Sequence, residues 1–339
     1  MSVTLRDIAK ESGFSVTTVS RALAGYDDVS EKTRQHIKVI ANRLGYQPNH
    51  IARQLQGQRT NTIGFIMPMR SDFYEDDFFS LMLKGITVGA TGEHYDVLTS
   101  VVHPHDVELD TYRRIVGGKR VDGVVIVRPK YNDERIEYLM ETNIPFVVLG
   151  RVPEVSVPYI DVDNHLAFEM LTKHLIANGH RHIALIMPPR HLTMTEYRYE
   201  GYRRALQQAD ISSRSDYVVE GDLTYQDGIV ATQNLLSEYP EITAIICSND
   251  KMALGAMSAV EQFDRVVGKD IAITGYDGIP ESERARTSLT TIHVPIFDLG
   301  TQITNLLIQQ IEDNPTAEYQ HIVVPELIVR ESSEFELSH

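Results

Sequence analysis

From Thr60 onward, short apolar runs alternate with amphipathic stretches for most of the chain, and that alternation narrows the possible architectures more than any single residue does. Runs at 62–67, 95–101, 123–127 and 146–149 have strand length and strand composition, and helical spacing fills the gaps at 78–92, 107–116 and 133–141. Strands separated by helices predict a parallel sheet covered on both faces. The pattern restarts after Asp163. It reads as helix 164–178, strand 183–187, helix 196–208, strand 217–220, helix 225–238, strand 244–247, helix 251–263 and strand 272–274. Two similar α/β lobes are the economical interpretation.

The first 58 residues follow a different rule. Leu5, Ile8 and Ala9 recur at helical spacing, and Gly13 breaks the pattern where a corner must follow. Ser15 can cap a second helix with Val16, Val19, Ala22 and Leu23 on its apolar side. The other side presents Ser15, Thr17, Thr18, Ser20 and Arg21, short hydroxyls plus one guanidinium, which suits a helix lying in a major groove. Ser30 caps a third helix at 31–44, whose Ile37, Ile40, Ala41 and Leu44 would close a three-helix core before Gly45 ends it. The stretch from Pro48 to Gln58 is too short to hold a helix alone, so it is expected to fold only against DNA.

Those residues carry a resemblance that runs over essentially the whole chain. Val19-Ser20-Arg21 in the second helix, Pro48-Asn49, and then Ala52, Leu55 and Gly57 resemble the LacI/GalR family of bacterial transcription regulators. The resemblance implies an all-α helix-turn-helix headpiece at 1–46, a hinge at 47–59, and a core at 60–339 of two doubly wound parallel-sheet lobes like a periplasmic binding protein. The chain would cross between lobes near 160–162, 293–295 and 322–325. One lobe would then hold about 60–160 and 294–322, and the other 161–293 and 323–339. It further implies that Val16, Thr17 and Arg21 face bases, while Thr4, Ser15, Thr18, Ser20, Ser30, Thr33, Tyr46 and Asn49 lie near the DNA backbone. Ala52 and Leu55 belong to the hinge, where the family wedges a leucine into the minor groove. Ala24 departs from the family, which usually has asparagine there, so one phosphate contact is expected to be missing.

Carboxyl ends of parallel strands leave loops and helix N-termini around a crevice, where a ligand is expected. Arg128, Arg151, Asn249, Asp250 and Asp277 follow such strands, and carboxylates with guanidinium forks suit a polyhydroxylated ligand. By resemblance Arg198, Asn249 and Asp277 match effector-binding positions. Phe73, Phe78 and Phe79 offer either a face for a pyranose ring or ordinary core packing. Leu223 replaces an aromatic common in relatives, and Gly150-Arg151 stands where some have aspartate, which argues against lactose. The Arg128-Pro129 and Gly150-Arg151 pairs resemble members that sense glucosides and other oligosaccharides.

Charge supports a division of labour. The chain carries −15, yet residues 1–60 hold nine Lys and Arg against five Asp and Glu, so the negative excess lies beyond them. A basic head on an acidic body suits a protein that touches DNA at one end. One cysteine, Cys247, allows no intrachain disulfide, and no N-terminal apolar run or transmembrane stretch is present, so a cytoplasmic protein without membrane contact is expected. His103 and His105, like His180 and His182, lack Cys or carboxylate partners at ligand spacing, so no metal is expected. No dinucleotide, P-loop or nucleophile-elbow motif occurs, so neither cofactor nor catalysis is expected. The expected partners are double-stranded operator DNA, a small effector, most simply a sugar, and a second copy in a homodimer, since residues 331–339 lack a leucine heptad. Two alternatives stay open: a corepressor-dependent regulator sensing another ligand, and a solute-binding protein whose head only packs.

Overall fold

The structure is a computed structural model that describes residues 3–23, 26–46, 59–68, 77–103, 107–153, 155–312 and 319–334. The chain forms two compact units, Met1–Thr60 and Asn61–His339.

In the first unit α1 spans Leu5–Ser12, α2 Val16–Leu23 and α3 Glu31–Leu44. At the start of α1, the Thr4 backbone N–H and hydroxyl both donate to the Asp7 carboxylate, at 2.8 and 2.7 Å. Gly13 ends α1 with φ +74°, donating its N–H to the Ala9 carbonyl at 3.0 Å. That left-handed turn is what lets α2 begin three residues later without a clash. The Ser15 hydroxyl accepts from the Thr18 N–H at 3.0 Å, and the Ser30 hydroxyl caps α3 through the Thr33 N–H at 3.3 Å. Ile8, Val19, Ala22, Ile37, Ile40 and Ala41 form the core, the face that the apolar spacing predicts.

The second unit contains two six-stranded sheets. In chain order its elements are β1 (Thr62–Pro68), α4 (Asp77–Gly92), β2 (Asp96–Val102), α5 (Glu108–Gly117), β3 (Gly123–Val127), α6 (Glu134–Glu141), β4 (Phe146–Leu149) and β5 (Tyr159–Val162). There follow α7 (Asn164–Ala177), β6 (Ile183–Met187), α8 (Met194–Gln208), β7 (Val218–Glu220), α9 (Tyr225–Glu238), β8 (Ala244–Cys247), α10 (Asp250–Glu261) and β9 (Ala272–Asp277). The series closes with α11 (Pro280–Arg284), β10 (Thr290–His293), α12 (Ile296–Ile311), β11 (Gln320–Val323) and β12 (Glu326–Ile328).

The first sheet is parallel throughout, in the order β11-β5-β4-β3-β1-β2. The second runs β12-β10-β9-β8-β6-β7, with β12 antiparallel to β10 and the other pairs parallel. The chain thus leaves the first sheet after β5, returns to it after β10, and leaves again between β11 and β12. Central strands β3, β6 and β8 are buried at every residue, as parallel strands covered on both faces must be. Side-chain alternation sorts the packing: Phe65, Val125 and Val127 join α4 and α12 on one face, whereas Ile66, Val124 and Ile126 join α5 and α6 on the other. The first of these clusters continues through α7, α8 and one face of the second sheet. Helices α4 and α12 meet closely because Gly85 and Gly300 face each other, and a Cβ on Gly85 would run into the Phe297 carbonyl.

The structure refines the sequence reading in several places. At the expected crossings, residues 160–162, 293 and 322–323 are the ends of β5, β10 and β11, and the chain passes to the other sheet just after each. β9 continues past Thr274 to Asp277, and a 3-10 turn at Ser215–Tyr217 replaces the start of the strand expected at 217–220. β11 and β12 are short and partly exposed at sheet edges, so the apolar run that marks a central strand is missing.

Candidate functional site

In the first unit Thr4, Ser15, Val16, Thr17, Arg21 and Ser30 are exposed, Thr18, Ser20 and Thr33 are half-buried, and Tyr46 packs against the core. Their elements thus leave a hydroxyl-rich face on α2 open to solvent. Arg21 is engaged: its Nη2 and Nε donate to the Asp28 carboxylate at 2.6 and 3.1 Å, and its guanidinium lies 5.1 Å from the Tyr26 ring centre. Asn49, Ala52 and Leu55 of the expected hinge, Ala24, His105 and Phe73 lie outside the described residues.

A cleft opens between the two sheets of the second unit, with about 670 Å³ of space unfilled by atoms, part of it open to solvent. Phe78, Leu149, Met194, Leu223, Val294 and Leu299 give apolar walls, and Arg128, Asp161, Asn164, Thr193, Arg198, Ser248, Asn249, Tyr276 and Asp277 give polar groups. Its loops are bent in ways few side chains accept. Arg128, Leu223 and Asp277 have φ of +53°, +65° and +114°, and Gly150 has +118°. Positive φ in bulky residues persists only where surroundings enforce it, and such residues gather at binding sites.

Arg198 is the organising residue. One turn into α8 and only 5% exposed, it donates from Nε to Asn164 Oδ1 at 2.7 Å and from Nη1 to the Ser248 carbonyl at 2.6 Å. Its guanidinium stacks 4.1 Å from the Tyr276 ring centre, a cation–π contact that holds its plane. Asn164 in turn donates from Nδ2 to Asp161 Oδ1 at 3.1 Å, and Arg151 Nε donates to Asp161 Oδ2 at 2.7 Å. Burial pushes the Asp161 carboxyl up to about 6, against the pull of Arg151. Asn249 caps α10 by accepting the Met252 N–H at 2.9 Å and donates to the Leu223 carbonyl at 3.0 Å, fixing that left-handed residue in the wall. Among the described residues, two guanidinium groups (Arg128 and Arg198) and two carboxylates (Asp161 and Asp277) line the cleft.

Of the residues expected in the cleft, Phe78, Arg128, Arg198, Asn249 and Asp277 line it, and three others do not. Phe79 is 2% exposed and packs against Phe65 in the core, because successive helical positions face different ways. Asp250 is fully buried behind the wall, its carboxylate accepting from Thr291 Oγ1 at 2.6 Å and from the Ile279 N–H at 2.9 Å. Burial pushes that carboxyl up to about 7. Arg151 sits behind Asp161 with its guanidinium 4.0 Å from the Tyr197 ring centre. Asp161, Asn164, Thr193 and Tyr276 line the cleft without having been expected from sequence. The polar run Asp161-Val162-Asp163-Asn164 after an apolar stretch is the available signal, and on sequence alone it reads as a connection.

Other candidates resolve as structure. Cys247 is buried in β8, and His180 is buried with Nδ1 3.0 Å from Thr243 Oγ1. Among the described residues no cluster of His, Cys, Asp or Glu could hold a metal, and no helix is long and apolar enough to cross a membrane.

Comparison with known proteins agrees with both units. Residues 4–49 match the family model for bacterial regulatory proteins of the lacI family, and residues 60–329 match that for periplasmic binding proteins and the sugar binding domain of the LacI family. The HTH-type transcriptional regulator CelR of Thermobifida fusca is 31% identical over 97% of this chain and 98% of its own length. The HTH-type transcriptional regulator AglR of Rhizobium meliloti is 34% identical over 98% and 95%. Among solved structures, a CelR–cellobiose complex superimposes with TM-score 0.76 at 30% identity, covering 97% of this chain and 99% of that one. A lac repressor dimer bound to operator and an anti-inducer gives 0.84 at 27% identity, covering 98% and 99%. With its helix-turn-helix head and two-sheet core each matched over nearly their whole extent, the chain belongs to the LacI family of bacterial transcriptional regulators.

Proposed function

We propose that this regulator is a cytoplasmic, non-catalytic repressor that binds a near-palindromic operator as a homodimer and changes its DNA affinity when a sugar or glucoside enters the cleft. The observation that carries the ligand class is Arg198, held by Asn164 and the Ser248 carbonyl and stacked on Tyr276, with Asp161 and Asp277 in the same cleft. Fixed donors and acceptors of both signs, set between apolar walls, suit a neutral molecule with many hydroxyls. The related CelR has been captured in complex with cellobiose, a disaccharide of the class we propose.

In this reading the head at 1–46 reads major-groove half-sites through Val16, Thr17 and Arg21, and a hinge at 47–59 with Ala52 and Leu55 enters the minor groove between them. A two-fold protein on two-fold DNA sets the near-palindrome. The core from residue 60 then carries the effector's signal as a change between its sheets.

Fluorescence anisotropy of a selected palindromic site at fixed salt, titrated with mono- and disaccharides and with purines, tests the proposal. Release by a sugar supports an inducible repressor. Tightening instead makes the ligand a corepressor, and a response to purines alone removes the sugar reading.

A further inference from the structure

The structure assigns Arg135 as the positioning residue of the cleft's rim: it holds the loop that joins the two lobes across the opening. The loop after β3 pairs with the segment before α8 as a short antiparallel bridge, Lys130 opposite Leu192. The Tyr131 N–H donates to the His191 carbonyl at 3.0 Å, and the Thr193 N–H donates to the Pro129 carbonyl at 3.0 Å. The Thr193 hydroxyl reaches the same Pro129 carbonyl at 3.4 Å. One side of this latch comes from the first sheet and the other from the second, so it can exist only while the lobes are closed. Arg128 and Thr193, at its two ends, both line the cleft.

A surface loop with Arg128 at φ +53° would not keep that shape unaided. Arg135, 4% exposed at the start of α6, supplies the constraint. Its Nη2 donates to the Arg128 carbonyl at 3.0 Å and to Asp133 Oδ2 at 2.6 Å, its Nε to Asp133 Oδ1 at 2.8 Å, and its Nη1 to Glu108 Oε1 at 2.7 Å. Asp133 also accepts the Lys130 N–H at 3.0 Å, and the Lys130 ammonium donates to Glu108 Oε2 at 2.8 Å. The latch residue Lys130 is therefore gripped at backbone and side chain by the two carboxylates that Arg135 organises. Burial pushes the Glu108 carboxyl up, and the Arg135 and Lys130 cations more than offset it, leaving it charged and below its ordinary range. A lysine at 135 could not serve, because one ammonium cannot span two carboxylates and a carbonyl in one plane.

The latch closes over the proposed effector cleft whatever ligand that cleft takes, so its test needs none. Amide hydrogen exchange is followed in the full chain for wild type, Arg135→Lys and Glu108→Gln. In wild type the Tyr131 and Thr193 amides are protected. In both variants they exchange about tenfold faster or more, while amides of β6 and β8 keep wild-type rates. The informative amide is Thr193, which belongs to the other lobe and which a merely local packing role for Arg135 would leave unmoved. An unprotected Thr193 amide in wild type overturns the proposal, as does wild-type protection of Thr193 in a folded variant. Should Arg135→Lys lose protection throughout β3, Glu108→Gln, which keeps the guanidinium, decides alone.

Discussion

Arg21 presents its fork to Asp28 in a bidentate geometry of the kind it would offer guanine O6 and N7, so in the proposed reading carboxylate and base would compete for one side chain. Asp28→Asn is expected to tighten operator binding by a few-fold, since an exposed ion pair contributes about 0.2–1 kcal/mol. The same substitution made in Arg21→Ala should gain less, and an equal gain in both backgrounds would attribute the effect to general charge instead. Asp161 makes a second prediction, of pH dependence. Its folded pKa of about 6 lies above the ordinary 3.8, so the stability it contributes is fully present below pH 4 and is lost as pH rises through 6. Urea unfolding of wild type relative to Asp161→Asn should therefore show wild type losing ground between pH 4 and 7, by up to about 3 kcal/mol. A flat difference across that window would mean that the carboxyl is solvated or fully compensated by Arg151.

At the scale of elements, the packing of α4 on α12 depends on the absence of side chains at Gly85 and Gly300. Gly85→Ala must push the helices apart and should cost about 1–3 kcal/mol, measured as a lowered urea midpoint with an unchanged slope. Sequence makes α4 and α12 visible as apolar helices but not as neighbours, because about two hundred residues separate them and periodicity carries no information on pairing. The same limit explains the site. Asn249 and Asp277 are legible because each is a polar residue that follows an apolar strand, whereas Arg198, inside α8, is legible only through the resemblance to the family's effector-binding arginine. Asp250 has the same local signature as Asn249, and only the neighbouring β10, whose Thr291 binds its carboxylate, shows that it faces inward. β11 and β12 escape notice for a related reason: an edge strand owes its pairing to a distant partner and needs no apolar run of its own. The head is more completely legible because its caps and core contacts are local, between helices joined by a few residues.

For the molecule as a whole, coupling between head and cleft has to be reciprocal. If a sugar lowers operator affinity by some factor, operator must lower sugar affinity by that factor, and equal sugar titrations with and without operator DNA would end the allosteric account. Topology adds a constraint of another kind. The first sheet is not complete until α12 and β11 arrive, after the chain has built α7 to β10 of the second. During synthesis, the apolar face of α4, with Phe79, Met82 and Ile86, emerges long before the helix that covers it. At ribosomal speeds of about 5–20 residues per second, that face waits on the order of ten seconds or more for its partner. The finished lobe is as buried as any core, yet in the nascent chain it is the exposed half, and there a chaperone would have most to protect.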